Sequence, residues 1–189
     1  HKGLKVATGR GADLGDDVMC VLALPSEFRN IVADYPIFFQ RNTAADSYSP
    51  VAMFGFQNGE NLFLTGDQWN ATYIPLMIRR GPFSIGFQES GEESGAGKKM
   101  VIAMDMDNPR VGVDQGELLF EPFGGNTRYT DQVVEVLQEI EQGQSIVDEF
   151  VGALKEHDLL EPFALNVELN SGAKHSLQGF YTIHEEKLA

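Results

Sequence analysis

Apolar positions change their spacing several times along the chain, and each change marks an element. Val18–Leu24 is a near-continuous apolar run, the pattern of a strand covered on both faces. Pro25-Ser26-Glu27 then predicts a helix start, with Ser26 as the cap and Phe28, Ile31 and Val32 on one stripe. Tyr35-Pro36 closes that helix, because a residue before proline avoids the α region. Ile37–Gln40 reads as a strand and Asn42–Ser49 as a polar loop. Val51–Gln57 and the run Leu62, Phe63, Leu64 flank Asn58-Gly59, a pair that predicts a tight hairpin because both central turn positions favour positive φ. From Asp67 to Arg80 the spacing turns helical, and Gly81-Pro82 stops it. Phe83–Phe87 and Met100–Met104 read as strands on either side of Glu89–Lys99 (ESGEESGAGKK), whose composition predicts a mobile loop. Short strands are expected at Leu4–Ala7 and Glu117–Phe120, with the rest of residues 1–17 a Gly- and Asp-rich loop.

The longest periodic segment comes late. Val133, Leu137, Ile140, Gln144, Val147, Val151 and Leu154 follow alternating steps of four and three, one face of a helix. Val134, Ile146 and Phe150 widen the stripe, Thr130 is the expected cap, and the helix should end near His157. Gln144 is the odd member, polar in the middle of the stripe. Phe163–Leu169 and Ser176–Ile183 flank Asn170-Ser171-Gly172 as a closing hairpin. Local hairpins broken by helices, without regular strand–helix alternation, predict an α+β fold. Its sheet should be mostly antiparallel and covered by the long helix. The length of 189 residues fits one domain over residues 1–189.

Charge narrows the classes of partner. The net charge of −14 argues against nucleic acid and anionic lipid. Cys20 is the single cysteine, so neither an internal disulfide nor a cysteine-based metal site can form. Its apolar surroundings read as a buried small hydrophobe. No run is long and apolar enough to insert in a membrane. The cysteine count and the lack of a visible signal peptide suggest a cytoplasmic location. The chain opens at His1 without a Met, so a periplasmic location follows if a signal precedes it.

The candidate chemistry is sparse. His175 and His184 lie nine residues apart on one predicted strand, on opposite faces unless Gly179 makes a bulge, and no metal is expected. Asp105 and Asp107 would share a strand face able to hold a cation, or would form a solvated turn before Pro109. Arg79 and Arg80 end the predicted helical segment, where they complement the helix dipole or receive an anionic ligand. Trp69 and Tyr73, one helical turn apart, are core residues or a platform for a sugar or peptide side chain. No complete nucleophile, phosphate-loop or dinucleotide motif is present, and no cofactor is expected.

Several blocks in order along the chain, HKGLKV, EFRNIVADYPIFF, PVAMFGFQNGENLFL, the Trp69-to-Phe83 block with YIPLMIRRGPF, LLEPF and GFYTIHEEKL, resemble the SapC family. That family is named for a gene linked to bacterial surface-layer proteins. The resemblance implies a surface-structure or uptake context, with members resembling accessory proteins encoded near outer-membrane receptors and flavin-dependent halogenase-like enzymes. It brings no catalytic motif with it. Two functions stand side by side. One is a non-catalytic binding module that recognises a protein, peptide or glycan through Trp69, Tyr73, Arg79, Arg80 and Phe83, with self-association open. The other is an enzyme or enzyme subunit in peptide or surface-polymer modification, with Asp105 and Asp107 working beside Arg79 or Arg80.

Overall fold

Five antiparallel strands carry the main sheet, and a 29-residue helix packs beside it. The computed structural model describes residues 3–88, 99–112, 114–168, 172 and 174–188. Along the chain run β1 (Lys5–Val6), β2 (Cys20–Leu22), α1 (Phe28–Ile31), β3 (Ile37–Asn42), β4 (Ser47–Met53), β5 (Leu64–Thr65) and β6 (Gln68–Trp69). Then come α2 (Leu76–Arg79), β7 (Phe83–Gln88), β8 (Lys99–Met104), β9 (Val111–Gly112), β10 (Glu117–Leu118), α3 (Arg128–Glu156), β11 (Leu160–Glu168), β12 (Lys174–Ile183) and α4 (Glu185–Leu188). The main sheet has the order β11-β12-β3-β4-β2; β7–β8 and β5–β6 are separate ladders, and β1 lies between β9 and β10. Every pair is antiparallel, so the fold is α+β as its patterning predicts. The expected mobile loop at Glu89–Lys99 falls outside the described residues except for Lys99, which opens β8. The tip of the closing hairpin between β11 and β12 lies largely outside them too.

Helix α3 forms where the stripe places it. Val133, Leu137, Ile140, Val147, Val151 and Leu154 are buried, and α3 contacts β4, β7, α2 and the 3₁₀ turn at Pro25–Glu27. Three details differ from the expectation. The cap is Thr127, whose Oγ1 accepts the Thr130 N–H, while the Thr130 hydroxyl donates to the Leu119 carbonyl. Ile146 is exposed and does not widen the stripe. Gln144 also faces solvent, because the buried position at that level is Gly143, seated against Leu24.

Other corrections have local causes. Strand β4 begins at Ser47, so the polar loop shrinks to a turn at 43–46. There the Asn42 side chain accepts the backbone N–H groups of Ala44 and Ala45. Ser26 caps nothing: Leu24 precedes the 3₁₀ turn, Pro25 occupies its first position, and Val32 lies exposed off the stripe. No ladder forms across Asn58-Gly59. Only Gly59 takes positive φ, and the Glu60 carboxylate accepts the Phe56 N–H at 2.6 Å, closing a loop instead. The tight hairpin comes later, as β5–β6 across Gly66-Asp67, with Gly66 at φ 61°. The helical reading of Asp67–Arg80 therefore reduces to α2, which Pro75 starts and Gly81 at φ 55° ends.

Two glycines of α3 separate packing from helix propensity. An added Cβ at Gly143 would stand 2.8 Å from Leu24 Cδ1 and 3.1 Å from Leu24 Cβ, whereas at Gly152 it meets open space. We expect Gly152→Ala to raise the unfolding free energy by about 1 kcal/mol through propensity. Gly143→Ala gains the same propensity, yet should lose about 1 kcal/mol net, because overpacking costs about 1–3 kcal/mol. Urea denaturation of the two variants checks this.

Candidate functional site

Trp69 is an anchor of the core. On β6 it packs edge-on against Phe54 at 5.3 Å between ring centroids, and its Nε1–H donates to Tyr35 Oη at 2.7 Å. Tyr35 in turn donates to the Tyr73 carbonyl. Tyr73 follows in irregular chain rather than one helical turn away, so the two rings form no shared helical platform. Its phenol donates at 2.8 Å to Oε1 of Glu27, a buried carboxylate that also accepts the Leu76 N–H at 2.8 Å. Glu27 thereby fixes the start of α2 from across the core, while its Oε2 is buried without a partner. Burial, then the bond to Glu27, pushes the Tyr73 phenol well above the ordinary tyrosine value.

The arginines divide. Arg80 is half-buried, its Nη1 donating to the Phe83 carbonyl at 2.7 Å, beside a small cavity of about 230 Å³ against Leu137 and Ile140. Arg79 is exposed at the end of α2 and lines a cleft of about 320 Å³ with Arg10 and Tyr129. Asp105 and Asp107 occupy the solvated turn rather than a strand face. The Asp105 carboxylate accepts the Asp107 N–H, and both side chains are exposed. Neither lines a cavity together with Arg79 or Arg80.

Phe83 leads to a larger feature. At 4% exposure it forms the floor of a groove of about 570 Å³ bounded by β8, the segment around Leu119 and Phe120, and the first turns of α3 at Thr130 and Val134. The walls are apolar and open to water: Ile102 is 47% exposed, Met106 51% and Phe120 41%. Every charged residue immediately next to a lining residue in the chain is acidic, while the exposed Arg128 lies two positions from both Asn126 and Thr130. Asp105, Asp107, Glu121 and Asp131 stand exposed around the groove, and Glu135 turns to the Arg10 cleft.

These features sit on a sequence whose affiliation is settled over its full length, since the SapC family model matches residues 1–189. The chain belongs to the SapC family. No curated protein and no solved structure matches it. The groove of this SapC chain had one signal in the sequence, which local periodicity alone does not bring out. Met100–Met104 is apolar at every position, so a two-stranded ladder carrying it cannot hide both faces. Arg10 and Tyr129 gave no local signal.

The histidines hold no metal-like grouping. Gly179 takes φ 81° and the β11–β12 register slips between Phe163 and Leu165, the bulge that a shared histidine face required. The His175 ring nonetheless lies against Phe56, and His184 lies 3.9 Å from Glu161. Among the described residues no group of three or more His, Cys, Asp or Glu side chains could hold a metal ion, and no helix is long and apolar enough to cross a membrane. Cys20 is half-buried, and burial pushes its thiol up, away from reactivity.

The Tyr73–Glu27 bond gives a stability test with a definite sign. A raised folded pKa stabilises fully below the unfolded value of about 10 and is lost as pH rises above it. We expect Tyr73→Phe to lower the unfolding free energy by about 2 kcal/mol at neutral pH, as for a lost bond to a buried carboxylate. The variant should also lose less stability than wild type when the pH is raised from about 9 to about 11, since one titrating phenol is gone. Urea titrations at the two pH values measure both effects.

Proposed function

We propose that this chain is a non-catalytic accessory module of a bacterial cell-surface assembly or uptake system. In this reading it binds an extended apolar segment of a protein partner, flanked by Lys or Arg. The observation that carries the reading is the open apolar groove, with four exposed carboxylates next to its lining residues in the chain. Apolar walls gain free energy by covering area of like kind, at about 25 cal/mol per Å². The carboxylates favour basic flanks and speed their encounter. Among the described residues β8 pairs on one side only, with β7, so its other edge can add a strand, the usual way an extended peptide joins a sheet. A second copy docking through the same face would oppose Asp105, Asp107, Glu121 and Asp131 to their equals, which disfavours self-pairing. A glycan is the weaker ligand, because Trp69 and Tyr73 are engaged in the core. Membership of the SapC family supports the surface context, and we place the module in the cytoplasm, or in the periplasm if an export signal precedes His1.

The enzymatic alternative needs carboxylates to converge with an arginine in a deep pocket, and the exposed turn at Asp105 and Asp107 lends it no support.

The test uses synthetic peptides of about ten residues with a Val/Ile/Phe centre and Lys, Ser or Glu flanks. The Lys-flanked peptide should bind most tightly, and its affinity should fall with added salt. Ile102→Asp and Phe120→Asp should each weaken it by about tenfold, with thermal stability nearly unchanged at such exposed positions. Equal binding of the Glu-flanked peptide would overturn the proposal, as would a dimer in sedimentation that Ile102→Asp abolishes.

A further inference from the structure

On the other flank of α3, away from the groove, the cleft lined by Glu135 also gathers the donors Arg10, Arg79, Tyr129 and Gln132, in a chain of net charge −14. Arg10 also touches a buried ion pair outside the lining. Asp16 Oδ1 accepts from Arg110 Nη2 at 2.7 Å, Asp16 Oδ2 accepts the Gly11 N–H, and Arg110 also donates to the carbonyls of Gly9 and Ala7. Arg110 and Asp16 thus satisfy each other. Arg10 reaches the same Oδ1 only at 3.4 Å, its single hydrogen bond among the described residues, with its guanidinium over the Trp69 ring at 5.9 Å. A guanidinium that is 21% exposed and makes one long bond among the described residues keeps N–H donors for an anion.

The remaining walls agree. The Tyr129 phenol is half-buried, accepts and donates no hydrogen bond among the described residues, and feels the charges of Arg10, Arg110 and Glu117. Burial keeps it protonated and therefore a donor. Arg79, beside the Tyr73 phenol, adds a second fork, and Val133 and Val136 supply apolar wall. Among the lining residues two guanidiniums, Arg10 and Arg79, face one carboxylate, Glu135, while Arg110 and Asp16 balance each other outside the lining and Glu117 acts on Tyr129 from beyond it.

We propose that this cleft binds a small monocarboxylate with a short apolar tail. Its carboxylate would lie between Arg10 and Arg79, with the Tyr129 hydroxyl as a third donor. A planar carboxylate matches the guanidinium fork, and its single charge matches the excess. A phosphate dianion would overshoot that excess beside Glu135. The tail would lie on Val133 and Val136, in a volume of about 320 Å³. The site is independent of the groove. The groove is lined by Thr130 and Val134 and the cleft by Tyr129 and Val133, so failure of peptide binding leaves this proposal standing.

Trp69, the only tryptophan, sits against Arg10 and reports occupancy by its fluorescence. The probes are N-acetylvaline, the uncharged N-acetylvalinamide and inorganic phosphate, titrated into the full chain and checked by calorimetry. N-acetylvaline should bind with a Kd of about 1 mM or tighter, and the amide at least about tenfold more weakly. Arg79→Ala, at an exposed position, should cost about tenfold in affinity with the unfolding midpoint unchanged, and Arg79→Lys should recover part of it. Four results would each overturn the assignment: no binding of N-acetylvaline at about 10 mM, equal binding of the amide, tighter binding of phosphate, or unchanged affinity in Arg79→Ala.

Discussion

At Gly143 the backbone of α3 comes so close to Leu24 that no side chain fits between them. Leu24 immediately precedes the 3₁₀ turn that carries Glu27, so this contact joins the long helix to the layer between the sheet and α2. The two ends of α3 take their partners from that seating. Toward its start, Val133, Val136 and Leu137 close a core with Leu76, Phe83 and Leu119. Toward its end, Phe150 lies edge-on to Phe28 and near Phe39 of the sheet. Cores packed at this density tolerate small residues only where the approach demands them. Glycine inside a helix is otherwise unfavourable by about 1 kcal/mol.

A second constraint is polar. Glu27 is a buried carboxylate whose bonds run to Tyr73 and to the first turn of α2, and the chain Trp69–Tyr35–Tyr73 extends the network. Asp16 and Arg110 do the same for the loop at residues 7–16. Buried charges of this kind are costly alone and are held by the partners they have, although one oxygen of Glu27 has none among the described residues. Together they place Arg10 and Arg79 on one cleft, although the two come from distant parts of the chain.

Period makes the fold legible in the sequence wherever packing is regular. The stripe of α3, strands β7 and β8, and the closing hairpin all lie where spacing puts them. Period fails where one side chain replaces a ladder. Glu60 captures the Phe56 N–H and cancels the hairpin at Asn58-Gly59, and Gly66 creates another that the apolar pattern does not mark. The four-residue spacing of Trp69 and Tyr73 mimics a helix, although Pro75 confines α2 to the residues after it. Of the expected binding residues, Arg79 lines an open cleft and Phe83 floors the groove, while Trp69, Tyr73 and Arg80 serve packing. Arg10 and Tyr129 are illegible in the sequence, because nothing near either residue announces a neighbour more than a hundred positions away.

Helix α3 is therefore both the spine of the core and the wall between two different surfaces, an open apolar groove and a polar cleft holding Arg10 and Arg79. Amide hydrogen exchange of the full chain, with and without the Lys-flanked peptide, tests this account most directly. Added protection should fall on 100–106, Leu119 and Phe120, and the first turns of α3, with no change at Trp69–Tyr73. Protection centred on Trp69–Tyr73, with the groove segments unchanged, would contradict it.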